Sequence, residues 1–292
     1  MELTLPARQP FIFHNAVRSH GWYQLAPFEY DEAAGLLRYV LRLESGRVLA
    51  LRLSEANGGV RVETGGKLGR AETSALREAV TWMFGLEMDF SDFYAAARDE
   101  PGLAHVTGKA YGRVLRSATF FEDVLKTILT TNTLWAATKR MNLNLIVTYG
   151  EPEPASGAKA FPTPAAIAAG GAEALRETVR VGYRAPAIHE LATRVASGEL
   201  DLEAYKTSTL PTLELRKELL KIKGIGPYAA ANLLMILGRS DFIPVDSWAL
   251  KVVSHEWHGG EPVTPDQVEA HFERWGRFKG LAYWFWDWKY KG

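Results

Sequence analysis

The sequence predicts a mostly α-helical protein that opens with a small α+β lobe. Three observations carry that reading. Residues 36–64 alternate apolar and polar side chains across two glycine-containing turns, the pattern of an antiparallel meander. Beyond Thr73 the apolar spacing changes to the three-to-four period of helices. The interruptions that follow, at Pro101-Gly102, "YGEPEPASGAKAFPTP" and Leu210-Pro211, are loops between helices, because helical patterning resumes directly after each.

Taken in order, Leu37, Tyr39, Leu41 and Leu43 alternate with Arg38, Val40 and Arg42, and "RVLALRL" and "GVRVE" follow across Glu-Ser-Gly-Arg and Asn-Gly-Gly turns. The run "TSALREAVTWMFGLE" offers Thr73 as a helix cap and Leu76, Val80 and Phe84 on one face, which would cover one side of the sheet. Helices are then predicted at 91–98, 119–131, 133–149, 164–170, 171–180, 184–197, 212–222, 227–238, 247–257, 265–274 and 279–288. This organisation gives a mixed domain over 1–105 and a helical body over 106–292 that holds a helical hairpin at 219–238.

Composition narrows the function classes. The chain has 292 residues, 47% hydrophobic and 23% charged, which suits a soluble globular protein with a sizeable core. It has no apolar run of membrane-spanning length and no secretion-like start, so a cytoplasmic protein without membrane partners is expected. Zero cysteines exclude disulfides, cysteine-bound zinc and iron–sulfur clusters, and the seven histidines form no metal-ligating pair, so no such cofactor is expected. The 34 basic and 34 acidic residues balance. Between His105 and Tyr149, however, Lys109, Arg113, Arg116, Lys126, Lys139 and Arg140 face only Glu122 and Asp123, a local basic excess that suits nucleic acid or a solvated helix face.

The most informative stretch is "LLKIKGIGPYAAANLLMILGRSDFIPVDSWALKVV". Gly224 and Gly226 permit a sharp turn and close backbone approach, and Pro227 suits the first turn of a helix. At that helix start the amides of Gly224, Gly226 and Tyr228 can converge on an anion such as a DNA phosphate without any side-chain charge. A plain interhelical turn has the same local pattern. Asp246, after Pro244 and before Trp248, Leu250, Val252 and Val253, reads locally as a helix N-cap.

Together the Gly-Ile-Gly turn and the aspartate of "PVD" resemble the helix-hairpin-helix (HhH-GPD) DNA glycosylase superfamily, which pairs such a hairpin with a catalytic aspartate. The likeness extends to "FPTP", to "GYR" as in its 8-oxoguanine branch, and to "FERWGRFKGLAYWFW" as in its 3-methyladenine DNA glycosylase II branch. It covers residues 110–292, with residues 1–100 matching the mixed N-terminal lobe of that fold. The resemblance implies an antiparallel sheet lobe plus a two-lobed helical body. It also implies a monomer, nucleoid-associated, that acts on double-stranded DNA containing a damaged base.

Within it, Asp246 takes the catalytic place, stabilising positive charge on the sugar as the N-glycosidic bond breaks or activating the water. Bifunctional members carry a lysine two residues past the second hairpin glycine. Tyr228 stands there, so hydrolysis without strand cleavage is implied; Lys221 and Lys223 precede the turn. Tyr228, Asn232, Trp248, Trp284 and Trp286 are placed in the base pocket, where aromatic faces suit an electron-poor alkylated purine. Asn232 reads equally as satisfying a backbone group. For DNA, the resemblance points to Gly224, Gly226, Tyr228, Lys223, Asn132, Leu134 (or Trp135) and Arg184. Asn132 or the apolar residue would fill the gap left by a flipped base, and Asn132 reads equally as a helix cap. Arg184 matches an arginine that contacts the orphaned cytosine, but the second such arginine falls on Ala137, which argues against strict cytosine selectivity. A monovalent cation on the carbonyls of Leu220, Ile222 and Ile225 is a further implication.

The expected activity is thus monofunctional removal of an alkylated purine in base excision repair. Alternatives are a monofunctional 8-oxoguanine or deaminated-base glycosylase, or a non-catalytic DNA-binding hairpin module. Branches that carry a four-cysteine iron–sulfur cluster are disfavoured.

Overall fold

The structure, a computed structural model, describes residues 1–290. Its elements in chain order are β1 (Glu2–Pro6), α1 (Phe13–Val17), β2 (Glu29–Asp31), β3 (Leu36–Arg42), β4 (Val48–Ala56), β5 (Gly59–Thr64), α2 (Arg70–Phe84), α3 (Ser91–Ala97), α4 (Phe120–Thr130) and α5 (Trp135–Tyr149). There follow α6 (Pro164–Glu177), α7 (Ala185–Ala196), α8 (Thr212–Leu220), α9 (Pro227–Ile236), α10 (Ser247–Trp257), α11 (Pro265–Phe272) and α12 (Lys279–Trp284). The mostly helical class with an N-terminal antiparallel sheet is as predicted. No helix of the described residues is long and apolar enough to cross a membrane.

The chain forms two compact units, and neither is continuous in sequence: residues 1–88 with 113–207, and residues 89–112 with 208–292. A boundary drawn at 105 therefore falls inside a segment that belongs with the C-terminal helices. The reason is side-chain pairing across long sequence separations. Phe93 packs on Phe278, Tyr111 stacks on Phe285 at 4.9 Å, and the amide of Asp287 donates to the Gly102 carbonyl.

In the first unit the sheet has the order β1-β5-β4-β3-β2, all antiparallel, with Tyr39 opposite Leu51 and Leu53 opposite Val62. Two edge strands were not anticipated. β1 is only five residues long, though Leu3 and Leu5 are buried and alternate with exposed Glu2 and Thr4; β2 has three residues. Thr73 is not the cap of α2. The helix starts at Arg70, the Glu72 carboxylate accepts the Gly69 amide, and the Thr73 hydroxyl donates back to the Gly69 carbonyl. The separate helices predicted at 164–170 and 171–180 meet as one element kinked at Gly171, whose φ of +75° only glycine adopts easily.

The basic excess of residues 105–149 is largely internal. Arg113, Arg116 and Lys126 are buried, as are Glu122 and Asp123, so only Lys109, Lys139 and Arg140 of that set face solvent. Neither a broad cationic footprint nor a solvated face describes them. Lys126 pairs with Glu122 at 2.6 Å, Glu122 accepts the Tyr39 hydroxyl at 2.7 Å, and Asp123 accepts from the Trp22 indole and the Ser117 amide. The charges tie α4 to the sheet, since an unpaired buried charge would be far costlier than a paired one. At its start, α4 is held by Glu203, which accepts the amides of Phe120 and Phe121.

In the second unit, α8 and α9 form the hairpin and α12 packs on α9. The terminal helix ends at Trp284 rather than at 288. Trp286 and Trp288 lie beyond it, because the chain turns there to fold both indoles into an aromatic cluster with Trp257 and Phe272.

Candidate functional site

The hairpin turns as its glycines require. Gly224 has φ of +90°, a conformation side-chain-bearing residues rarely adopt, and the Ile225 amide closes the turn on the Ile222 carbonyl at 3.0 Å. Gly226 is the N-cap of α9 and Pro227 its first residue, so the backbone amides that begin α9 lack helical acceptors and carry the positive end of the helix dipole. Gly226 is exposed, and a Cβ built there meets nothing within 4 Å. Its glycine character is therefore unnecessary for packing within the chain. Lys223 is exposed, and Lys221 is exposed and paired with Glu218 at 2.7 Å. Of the three carbonyls named for a cation, that of Leu220 closes α8 and that of Ile222 already accepts the Ile225 amide.

Asp246 is the N-cap of α10, accepting the Ala249 amide on Oδ1 at 2.9 Å. The local reading is thus correct, yet a cap uses one carboxylate oxygen. The residue is exposed at the helix start, and among the described residues no hydrogen bond is recorded to Oδ2. A negative charge at this end of a helix is held in place by the dipole as well as by the bond.

A residue that the sequence reading passed over is Tyr283 on α12. Burial pushes its phenol well above the usual range, and the charges of Asp246 and then Tyr228 push it the same way. The hydroxyl therefore stays neutral and lies within the electrostatic reach of both. The sequence signal was present in "LAYWFWDW", where the tyrosine stands directly before three tryptophans at alternate positions, which drew attention from it.

The aromatic residues assigned to the base pocket divide. Tyr228 is half-buried on the first turn of α9. Trp248, two residues after Asp246, is 41% exposed, with the Tyr290 ring 5.7 Å away; Tyr290 in turn stacks on His255 at 4.2 Å. Trp284 ends α12 half-buried. Trp286 is not available as a pocket wall in this arrangement: its ring packs over Gly102 and against Phe272 and Trp257. Asn232 donates its amide to the Tyr228 carbonyl at 3.2 Å, the backbone role the sequence left open.

In the first unit the α4–α5 connection carries Asn132. It adopts φ of +46° between Thr131, which ends α4, and Leu134, which begins α5, so it caps neither helix. Asn132 is exposed and Leu134 is 81% exposed. Trp135, the alternative apolar wedge, is instead anchored: its indole donates to Gln24 at 2.9 Å and its ring fills the space over Gly21. Tyr183, not singled out from sequence, is 65% exposed beside this loop, and its hydroxyl accepts from the Asn132 amide at 3.4 Å. Arg184 departs from its assigned role. It is only 6% exposed and donates to the carbonyls of Ile128 and Thr131, so its guanidinium is engaged inside the protein rather than offered to DNA.

The described residues contain no group of three or more histidines, cysteines or acids able to hold a metal ion. The second unit thus carries an amide-rich helix start and an exposed carboxylate braced by a helix, with aromatic side chains near it; the first unit, by itself, carries an exposed Asn-Leu-Tyr tip.

The sequence model of the HhH-GPD superfamily base excision DNA repair protein matches residues 125–278. A probable N-glycosylase/DNA lyase of Methanothermobacter thermautotrophicus is 26% identical over 202 residues, 62% of this chain and 64% of that protein, so the match spans somewhat under two thirds of the relative. The structure superposes on a 3-methyladenine DNA glycosylase from Archaeoglobus fulgidus with a TM-score of 0.75 at 23% identity, covering 98% of this chain and 97% of the other. An 8-oxoguanine glycosylase/lyase of Clostridium acetobutylicum, bound to double-stranded DNA, gives 0.70 at 20% identity, with 91% and 90% covered. At such identities the superpositions establish the fold. The family match extends over more than half of the chain, and the protein belongs to the HhH-GPD superfamily of base excision DNA repair proteins.

Proposed function

We propose that the protein is a monofunctional DNA glycosylase that removes an alkylated purine from duplex DNA by hydrolysing its N-glycosidic bond. The observation that carries this reading is Asp246, a carboxylate fixed at the exposed start of α10 by the Ala249 amide, in a chain whose hairpin bears Tyr228 where a lyase lysine would stand. As the bond breaks, positive charge builds on the deoxyribose. A preoriented carboxylate stabilises it without reorganising, a contribution of about 3 kcal/mol for one such group. The same carboxylate is placed to orient the attacking water. The neutral phenol of Tyr283 adds a polar group near Asp246 without competing for positive charge.

DNA is held, on this account, by the first-turn amides of α9 on a phosphate, with Gly226 permitting close approach and exposed Lys223 adding charge. The Asn132–Leu134 loop and Tyr183 fill the gap left by the flipped nucleotide. Tyr228, Trp248 and Trp284 supply flat faces for a purine that carries positive charge. A monovalent cation at the Leu220, Ile222 and Ile225 carbonyls would brace the hairpin; neutral oxygens suit a singly charged ion, and no catalytic step needs it. The monomeric state belongs to the same proposal.

A second reading has a specific basis. The archaeal relative is named a DNA lyase, and the clostridial neighbour acts on 8-oxoguanine. A lyase would need a nucleophilic amine, for which Lys221 and Lys223 are the nearest candidates in sequence. The deciding experiment presents duplexes with 3-methyladenine, 7-methylguanine, hypoxanthine, 1,N6-ethenoadenine, 8-oxoguanine or uracil, with and without alkali. Alkali-dependent breaks at alkylpurines are expected. Breaks without alkali, or release confined to 8-oxoguanine, favour the second reading, and no release on any duplex leaves a DNA-binding module.

A further inference from the structure

The guanidinium of Arg184 sits under the Tyr183 ring at 4.6 Å and is almost wholly enclosed. Its Nε donates to the Ile128 carbonyl at 3.2 Å, one terminal nitrogen donates to the Thr131 carbonyl, and the other lies 3.4 Å from the Val181 carbonyl. Ile128 and Thr131 belong to the last turn and the cap of α4, where carbonyls have no helical partner and a cation is favoured by the dipole. The side chain therefore clamps the end of α4 to the 181–184 turn, and Asn132 is the next residue along the chain. To reach a base, Arg184 would have to abandon buried carbonyls and leave them unpaired.

We propose that Arg184 is a positioning residue that presets the Asn132–Leu134 loop, and that the base opposite the flipped nucleotide is met only by the Asn132 amide and the Tyr183 hydroxyl and is not discriminated. The chemistry of the two groups supports the second half. A carboxamide and a phenol each both donate and accept, so each finds a partner on any base edge. A guanidinium only donates and selects bases rich in acceptors. Exposed cations on the same unit, among them Lys139 and Arg140 on α5 and Arg180 before the 181–184 turn, suit phosphates, whose contacts carry no sequence information.

This inference rests on the proposed gap-filling role of the loop, and a binding test separates the two because it needs no identified lesion. The probe is a duplex with a tetrahydrofuran abasic analogue opposite A, C, G or T, together with the same strand alone. Wild-type dissociation constants should agree within about threefold across the four opposite bases. Arg184→Ala and the milder Arg184→Lys should weaken all four duplexes in parallel, the former by about tenfold or more, and leave the single strand within about twofold. Tyr183→Phe, at an exposed site, should also leave the four duplexes equivalent. A wild-type preference for one opposite base of about tenfold or more, erased in Arg184→Lys, would overturn the proposal. So would an Arg184→Ala variant that is folded by its thermal transition and binds all four duplexes as wild type does. If no lesion is ever released yet these binding results hold, the glycosylase reading fails and the positioning role stands.

Discussion

The buried carboxyl of Asp123 makes a pH dependence of stability that can be worked out in advance. Burial raises it from 3.8 to about 7, against the lowering influence of the Ser117 amide and the Trp22 indole; among the described residues Oδ2 has no hydrogen-bond partner. Between those values the folded state holds a proton that the unfolded state has lost. Stability therefore falls as pH rises through this window, by about 1.4 kcal/mol per unit and about 4 kcal/mol in all above pH 7. His20 opposes it. Burial lowers His20 from 6.5 to about 4, so its unfolded state takes up the extra proton and stability falls as pH drops from 6.5 towards 4. In the wild type the two slopes largely cancel below pH 6.5, and only a difference measurement isolates Asp123. Asp123→Asn keeps an oxygen for Trp22 and Ser117 while removing the titration. Chemical denaturation of both proteins at pH 5, 6, 7 and 8 should show the variant gaining on wild type as pH rises, by about 2.5 kcal/mol between the extremes. A difference that stays flat across this range would refute the assignment, because a carboxyl that is ionised and usefully paired changes stability only below its unfolded value of 3.8.

Three further outcomes follow from the local geometry. Gly224→Ala should cost on the order of 1 kcal/mol of stability because of its φ of +90°. Gly226→Ala, facing open space, should leave thermal unfolding nearly unchanged and yet weaken duplex binding more than Lys223→Ala does. If Lys223→Ala is the more damaging to binding, side-chain charge rather than backbone amides grips the phosphate. Asn132→Ala should reduce base release from duplex more than from single strands, since only a duplex leaves a hole to fill; equal losses would remove the gap-filling role.

The hairpin and the aspartate were legible because their signals are local: two glycines, a proline at a helix start and a capping residue lie within a few positions of one another. The sheet was legible where strands were long enough to alternate, and β1 and β2 were missed because five and three residues carry too little period. What sequence could not show depended on distant partners. Arg113, Arg116 and Lys126 looked like a surface charge and became core, because Glu122 and backbone carbonyls such as those of Gly85 and Trp82 accept from them. Arg184 looked free to read a base until the carbonyls of Ile128 and Thr131 were placed beside it. Trp286 left its expected pocket when the final helix stopped at Trp284 and the following chain turned, and Tyr283, given no role from sequence, lies within electrostatic reach of Asp246.

The central claim is that Asp246 carries the chemistry and that Tyr228 leaves it hydrolytic. Single-turnover base release from an alkylpurine duplex by Asp246→Asn, with borohydride trapping of the wild type alongside, tests it most directly. Asparagine preserves the cap oxygen for Ala249, so duplex affinity and thermal stability should change little. Release should fall by about a hundredfold or more, and wild type should leave alkali-labile sites with no trapped covalent adduct. Release by Asp246→Asn at the wild-type rate would reduce Asp246 to a helix cap, and an efficient borohydride-trapped adduct would contradict the hydrolytic account and turn attention to Lys221 and Lys223.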